Sequence, residues 1–120
     1  MRIFKTKWFV RYARKERIPD AFLRDAIARA ELGLVDADLG GGVIKQRVAR
    51  PGQGRSGGYR TLIALRIGDR AIFVFAFAKS DRDNIDDDEL AALRRLASKW
   101  LGADETQVAL AVDEDELQEI

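Results

Sequence analysis

The 120-residue sequence predicts an α+β fold, with a helical hairpin at the N-terminus, an antiparallel sheet in the middle and a helix near the C-terminal end. Three observations carry this. Apolar residues recur at helical spacing at Trp8, Phe9, Tyr12 and Ala13, and again at Leu23, Ala26, Ile27 and Ala30. Two β-rich runs, 59–67 and 70–78, flank Gly68-Asp69, which reads as a two-residue hairpin turn. Finally, Leu90, Leu93, Ala97 and Trp100 mark a helix behind an Asp86/Glu89 capping pattern.

Taken in order, residues 2–5 form a short strand or lead-in. The first helix puts Trp8, Phe9, Tyr12 and Ala13 on one side and Arg11, Arg14, Lys15 and Arg17 on the other. Pro19 interrupts it, Asp20 gives the second helix a polar start, and Gly33 suits its C-terminal end. Residues 34–42 read as a loop whose glycines lack the pattern of a nucleotide-binding loop. Residues 43–49 read as a strand and 50–58 as a Gly-rich loop. The strands 59–67 and 70–78 are apolar on both faces, so the sheet is expected to be covered on both sides. A polar connection, 79–85, leads to the helix ending near Gly102, and 103–120 reads as an acidic tail with one short helix and an extended end. The domain is thus placed at 1–102 and the tail at 103–120.

Composition narrows the chemistry. Without cysteine there are no disulfides, thiolate nucleophiles or Cys-containing zinc sites. Without histidine there is no Ser-His-Asp triad and no His-ligated metal. Catalysis near neutral pH therefore rests on Lys, Arg, Tyr, Ser/Thr or carboxylates. No apolar run reaches membrane-spanning length and no signal peptide is evident, so a cytoplasmic protein is expected. The net charge of +1 hides an asymmetry. Residues 1–80 carry 17 basic and 7 acidic side chains, and 81–120 carry 4 and 13. A basic body of this kind suits a polyanion.

Most of the excess lies in Lys5–Arg17 and Lys45–Arg60. With a two-residue turn at Gly68-Asp69, Ile67 opposes Arg70 and Arg60 opposes Phe77, which makes Lys79 the diagonal neighbour of Arg60 on one face. Lys45 and Arg47 share a face of the preceding strand, and Arg50 and Arg55 lie on the loop beside them. The loop is too long to fix the register of 43–49, so the sequence leaves open whether the two basic faces coincide. If they do, four to six cations form an anion site, where mutual repulsion lowers the pKa of a buried lysine enough for it to act as a base. Arginines there stabilise charge on a pentacoordinate phosphate.

Three blocks carry a resemblance: IFKTKWF at the start, VIKQRVARPGQGRSGGYR, and FAKSDRDNIDDDEL. In this order they resemble the RelE/HigB-like toxins of bacterial type II toxin–antitoxin systems, especially the HigB-type, phage-associated branch, over most of residues 1–102. The resemblance implies a microbial-ribonuclease-like α+β fold and cleavage of mRNA in the ribosomal A site by 2′-OH attack on the adjacent phosphate. Arg60 matches the family's phosphate-contacting arginine. Lys45 and Arg47 match the basic strand that supplies a lysine near the 2′-OH, Lys79 and Arg82 the basic segment after the hairpin, and Arg55 a basic loop residue. On this reading Lys45, Arg60 and Lys79 are catalytic, and Arg47, Arg50, Arg55 and Arg82 bind substrate. Partners are mRNA on the ribosome and a cognate antitoxin, typically a helix-turn-helix DNA-binding protein. Many members carry a Tyr or His late in the site. Here Asp86 follows Ile85 and histidine is absent, so the general acid is unassigned.

The rival readings are a ParE-type gyrase inhibitor, which usually lacks the cationic cluster, and a non-catalytic module that binds RNA or an antitoxin. Phe73, Phe75 and Phe77 alternate on one face and read as core, as do Trp8 and Trp100. Asp86–Asp88 read as a helix N-terminus, and no metal or cofactor is expected.

Overall fold

The chain enters the sheet with its second residue. In the computed structural model, which describes residues 1–50, 52 and 54–120 apart from the side chains of 54–56, strand β1 spans Arg2–Thr6. Thr6 then turns strand into helix: its Oγ1 accepts from the Phe9 N–H at 3.3 Å and caps α1 (Lys7–Glu16). The helix ends before Pro19, because Arg17 is left-handed (φ 57°) and the Ile18 N–H returns to the Ala13 carbonyl at 2.9 Å. Helix α2 (Asp20–Glu31) follows, with Pro19 rather than Asp20 at the cap position. Asp20 instead pairs with the buried Lys5 Nζ at 2.9 Å.

Next come β2 (Ala37–Asp38), β3 (Val43–Arg50), β4 (Gly54–Arg66) and β5 (Arg70–Ala78), then α3 (Asp87–Gly102), α4 (Glu105–Asp113) and β6 (Leu117–Glu119). The six strands lie in the order β2-β3-β4-β5-β1-β6. Pairing is antiparallel except between β1 and β5, which run parallel, so the α+β sheet is mixed. Both faces are covered, as two-sided apolar strands require. On one face, Phe9 and Ala13 of α1 and Leu23, Ala26, Ile27 and Ala30 of α2 bury Ile44, Val48, Tyr59, Ile63 and Phe73. On the other, Leu93, Ala97 and Trp100 of α3 bury Val43, Leu62, Ala64, Ile72 and Phe77. Among the described residues, no helix is long and apolar enough to cross a membrane.

The β4–β5 hairpin differs from the expected one in two places. Its loop has three residues, with the Asp69 N–H bonded to the Arg66 carbonyl and Gly68 at φ 81°, the position that a type II turn reserves for glycine. Arg66, not Ile67, therefore faces Arg70. Further along, a β-bulge at Val74 shifts the register by one, between Ile63↔Phe73 and Leu62↔Phe75. The two offsets cancel, and Arg60 does face Phe77. The bulge also splits the phenylalanines. Phe73 meets Phe9 on the α1 side, whereas Phe75 and Phe77 lie on the α3 side.

Trp100 is buried as a core anchor, but Trp8 remains 37% exposed. Its ring stacks on Tyr12 at 5.1 Å and meets Phe75 at 4.6 Å, which seals the flank of β5 beyond the end of β1.

The acidic segment 103–120 is built into the sheet. Asp104 and Gln107 form a capping box that starts α4, and Val108, Ala111 and Leu117 are buried in the cluster that holds Trp100. β6 pairs with β1 at the sheet edge remote from β3, so the segment does not cover the basic strand. Leu117→Ala is accordingly expected to destabilise the fold by about 3 kcal/mol and to lower Tm by on the order of 10 °C in a circular-dichroism melt, whereas a solvated tail would leave Tm unchanged.

Candidate active site

Strand register brings the cations together. β3 pairs with β4 so that Arg47 sits directly opposite Arg60 and Lys45 opposite Leu62. Leu62 belongs to the α3-side core, and alternation along each strand puts Lys45, Arg47, Arg60 and Phe77 on that same face. The face of Lys45 and Arg47 and that of Arg60, whose relation the sequence left open, thus coincide.

Each cation has its own setting. The Arg47 guanidinium contacts Asp36 Oδ1 through Nε at 3.1 Å and Nη2 at 3.0 Å, while the Arg47 N–H donates to Asp36 Oδ2 at 2.7 Å. Arg60 is half-buried. Burial weakens its hold on the proton, the facing Arg47 weakens it further, and Asp36 partly restores it, so its pKa lies below the usual arginine value. Lys45 is half-buried, with Nζ 3.4 Å from Asn84 Oδ1. Arg82 lies over Phe77, its guanidinium carbon 5.5 Å from the ring centroid. It donates to the Asn84 carbonyl at 2.9 Å and, through both terminal nitrogens, to Glu89 of the α3 capping box. Lys79 is exposed just past β5, where its N–H still bonds to the Gly58 carbonyl at 3.1 Å.

One expected member stands apart. Arg50 lies 5.6 Å from the centroid of Tyr59, a ring in the α1/α2 core, because alternation along β3 puts it on the face of Ile44 and Val48. Arg50 is therefore on the opposite side of the sheet from Arg47 and Arg60. The Arg55 side chain lies outside the described residues. The sequence predicts a lowered pKa for a buried lysine, whereas in this site the cation whose pKa is lowered by burial and a like charge is the half-buried Arg60.

Neither tyrosine of the chain reaches the cationic face. The Tyr59 hydroxyl donates to Glu16 Oε1 at 3.2 Å on the α1 side. Burial, reinforced by the Glu16 charge, raises the pKa of both Tyr12 and Tyr59. No phenol is thus placed to act as an acid at Arg60.

Sequence reasoning missed three residues of this site. Asp36 lies in the segment read as a plain loop, and no spacing rule connects it to Arg47. Asn84 and Glu89 stand in quoted motifs, but their contacts with Lys45 and Arg82 depend on how 79–86 folds back. Glu89 also offers a test. Its paired hydrogen bonds with Arg82, helped by the Asp86 N–H, hold its pKa at about 2. A carboxylate depressed in this way supports the folded state above its ordinary pKa, and that support is lost as the pH falls from there towards 2. A carbon-detected NMR titration should place the Glu89 midpoint near 2, and Arg82→Ala should return it towards the ordinary glutamate value of about 4.3.

The arrangement suits a phosphodiester. Paired arginines across two strands offer a clamp, and a lysine lies one step along the same face. Comparison with known proteins agrees with the fold. None of the curated proteins matches the chain. The family model described as "RelE toxin of RelE / RelB toxin-antitoxin system" matches residues 1–120, and so takes in α4 and β6 as well as the cationic strands. The chain belongs to the RelE toxin family and is a toxin of a toxin–antitoxin system.

Proposed function

We propose that this toxin is a ribosome-dependent mRNA interferase of the HigB-type branch, a metal-independent endoribonuclease that inhibits translation in the cytoplasm. The observation that carries the reading is the Arg47–Arg60 pair, set in register on the same face as Lys45. The nucleophile belongs to the substrate. Lys45 takes the proton of the RNA 2′-OH. The 2′-oxygen then bonds to phosphorus, and the bond from phosphorus to the 5′-oxygen breaks. Arg47 and Arg60 hold the non-bridging oxygens as negative charge gathers on them. Lys79 supplies the proton to the departing 5′-oxygen, and Arg82 tracks the backbone beside Phe77. The products are a 2′,3′-cyclic phosphate and a free 5′-hydroxyl. No step requires a metal ion or cofactor. The partners are mRNA on the ribosome and a cognate antitoxin of the helix-turn-helix DNA-binding kind.

Inducible expression tests this, with growth followed and transcript 5′-ends mapped. Growth arrest with new 5′-ends inside translated codons is expected. Arrest with intact mRNA would point instead to a gyrase-type target, and continued growth of cells holding folded protein would point to a module that binds without cutting.

A further inference from the structure

Asp36 is the one acidic side chain that the structure describes against the paired arginines, and its placement is specific. We infer that Asp36 is a positioning residue: it fixes Arg47 by the Nε/Nη2 edge and so makes Arg47 and Arg60 a single two-arginine clamp for one phosphate. This rests on the RNA reading above.

Two arginines directly opposite each other on adjacent strands repel, and such pairs destabilise a sheet unless a counter-charge is near. Asp36 is that counter-charge. Its side chain is only 21% exposed. Burial opposes its ionisation, but the Arg47 N–H and guanidinium, together with Arg29, outweigh this and lower its pKa. The carboxylate is itself well held. The Asp36 N–H donates to Gln46 Oε1 at 2.8 Å, and the fully buried Gln46 donates to the carbonyls of Ala26 and Leu34 at 2.9 and 3.1 Å. Arg29 of α2 completes the frame, donating to the Arg47 carbonyl at 2.6 Å and lying 3.9 Å from Asp36 Oδ2. Asp36 Oδ1 takes only the side-on edge of Arg47, through Nε and Nη2. That contact uses one side of Nη2 and does not use Nη1, so the end-on edge keeps donors for a phosphate.

Asp36→Asn separates positioning from simple charge screening, because the two predict opposite signs. Removing a negative charge beside a cationic site tightens anion binding if Asp36 only screens. If Asp36 positions Arg47, binding weakens even though the site becomes more positive. The probe is a single-stranded RNA trinucleotide with a 2′-deoxy group at the reacting ribose, titrated by NMR with the arginine Nε–Hε signals observed. The expected results are a displaced and broadened Arg47 Nε–Hε signal in the free variant and about tenfold weaker trinucleotide binding. Arg47→Lys provides a second arm if Asp36→Asn folds poorly. It keeps the charge but cannot offer the side-on edge, and it should lose a similar factor. Equal or tighter binding by either folded variant overturns the inference while leaving the RNA reading intact. Wild-type protein with no affinity for the trinucleotide removes the phosphate clamp and overturns the inference, while the mapped 5′-ends of the expression assay decide the RNA reading separately.

Discussion

Arg60→Ala is expected to abolish growth arrest and to lower mRNA cleavage by about a hundred- to a thousandfold, the loss found when one preorganised donor to a developing oxyanion is removed. The fold should survive. Arg60 is half-buried, and its guanidinium faces another cation, whose repulsion the substitution relieves. Tm should therefore stay close to that of the wild type. Arg60→Lys sharpens the test, because it retains the charge but loses the planar fork, and should fall between wild type and alanine. The measurement is the induced-expression assay with mapped 5′-ends, read beside a thermal melt of each purified variant. Undiminished cleavage by Arg60→Ala would remove Arg60 from the site and with it the proposed clamp.

Gly58→Ala is expected to be the most damaging small substitution in the sheet. A Cβ at Gly58 would lie 2.2 Å from the Val48 carbonyl oxygen and 2.8 Å from the Arg50 nitrogen. Both are backbone atoms of the facing strand and cannot rotate away, so β3 and β4 must separate. A loss of about 3 kcal/mol is expected, at the upper end for overpacking. The separation falls one residue from the Val48↔Tyr59 pair and two from Arg60, so cleavage should decline along with stability. Gly68→Ala is the control. Nothing lies within 4 Å of its Cβ position, and only the left-handed backbone (φ 81°) resists the change. Its cost should be about 1 kcal/mol, without effect on cleavage. Denaturant unfolding of the two variants distinguishes crowding from backbone conformation.

What the sequence disclosed follows from the range of each interaction. The α3 capping box is a contact over three residues, and Asp86 and Glu89 form it as read. The helical stripes at Phe9/Ala13 and Leu23/Ala26/Ile27/Ala30 depend on local periodicity and bury as expected. The pairing of Arg60 with Phe77 was reached through a turn one residue too short and a bulge left out, two errors of opposite sign. The register of β3 could not be read across its long loop, and the side-chain pairing of Arg47 with Asp36 is a tertiary contact that leaves no local signature. Leu117 was hidden by composition. It is one apolar residue among Asp113–Glu116 and Glu119, and only the pairing of β6 with β1 shows what it covers.

The β4–β5 hairpin has a consequence for engineering the molecule. The bulge at Val74 divides it into a far half, phased by the three-residue turn, and a near half, phased by contacts around Arg60 and Phe77. The extra residue offsets the alternation of one half against the other by one. The loop at Ile67–Asp69 is the natural insertion port for an epitope or fluorescent reporter: it is exposed at Ile67 and Gly68 and lies at the end of the hairpin opposite the cationic face.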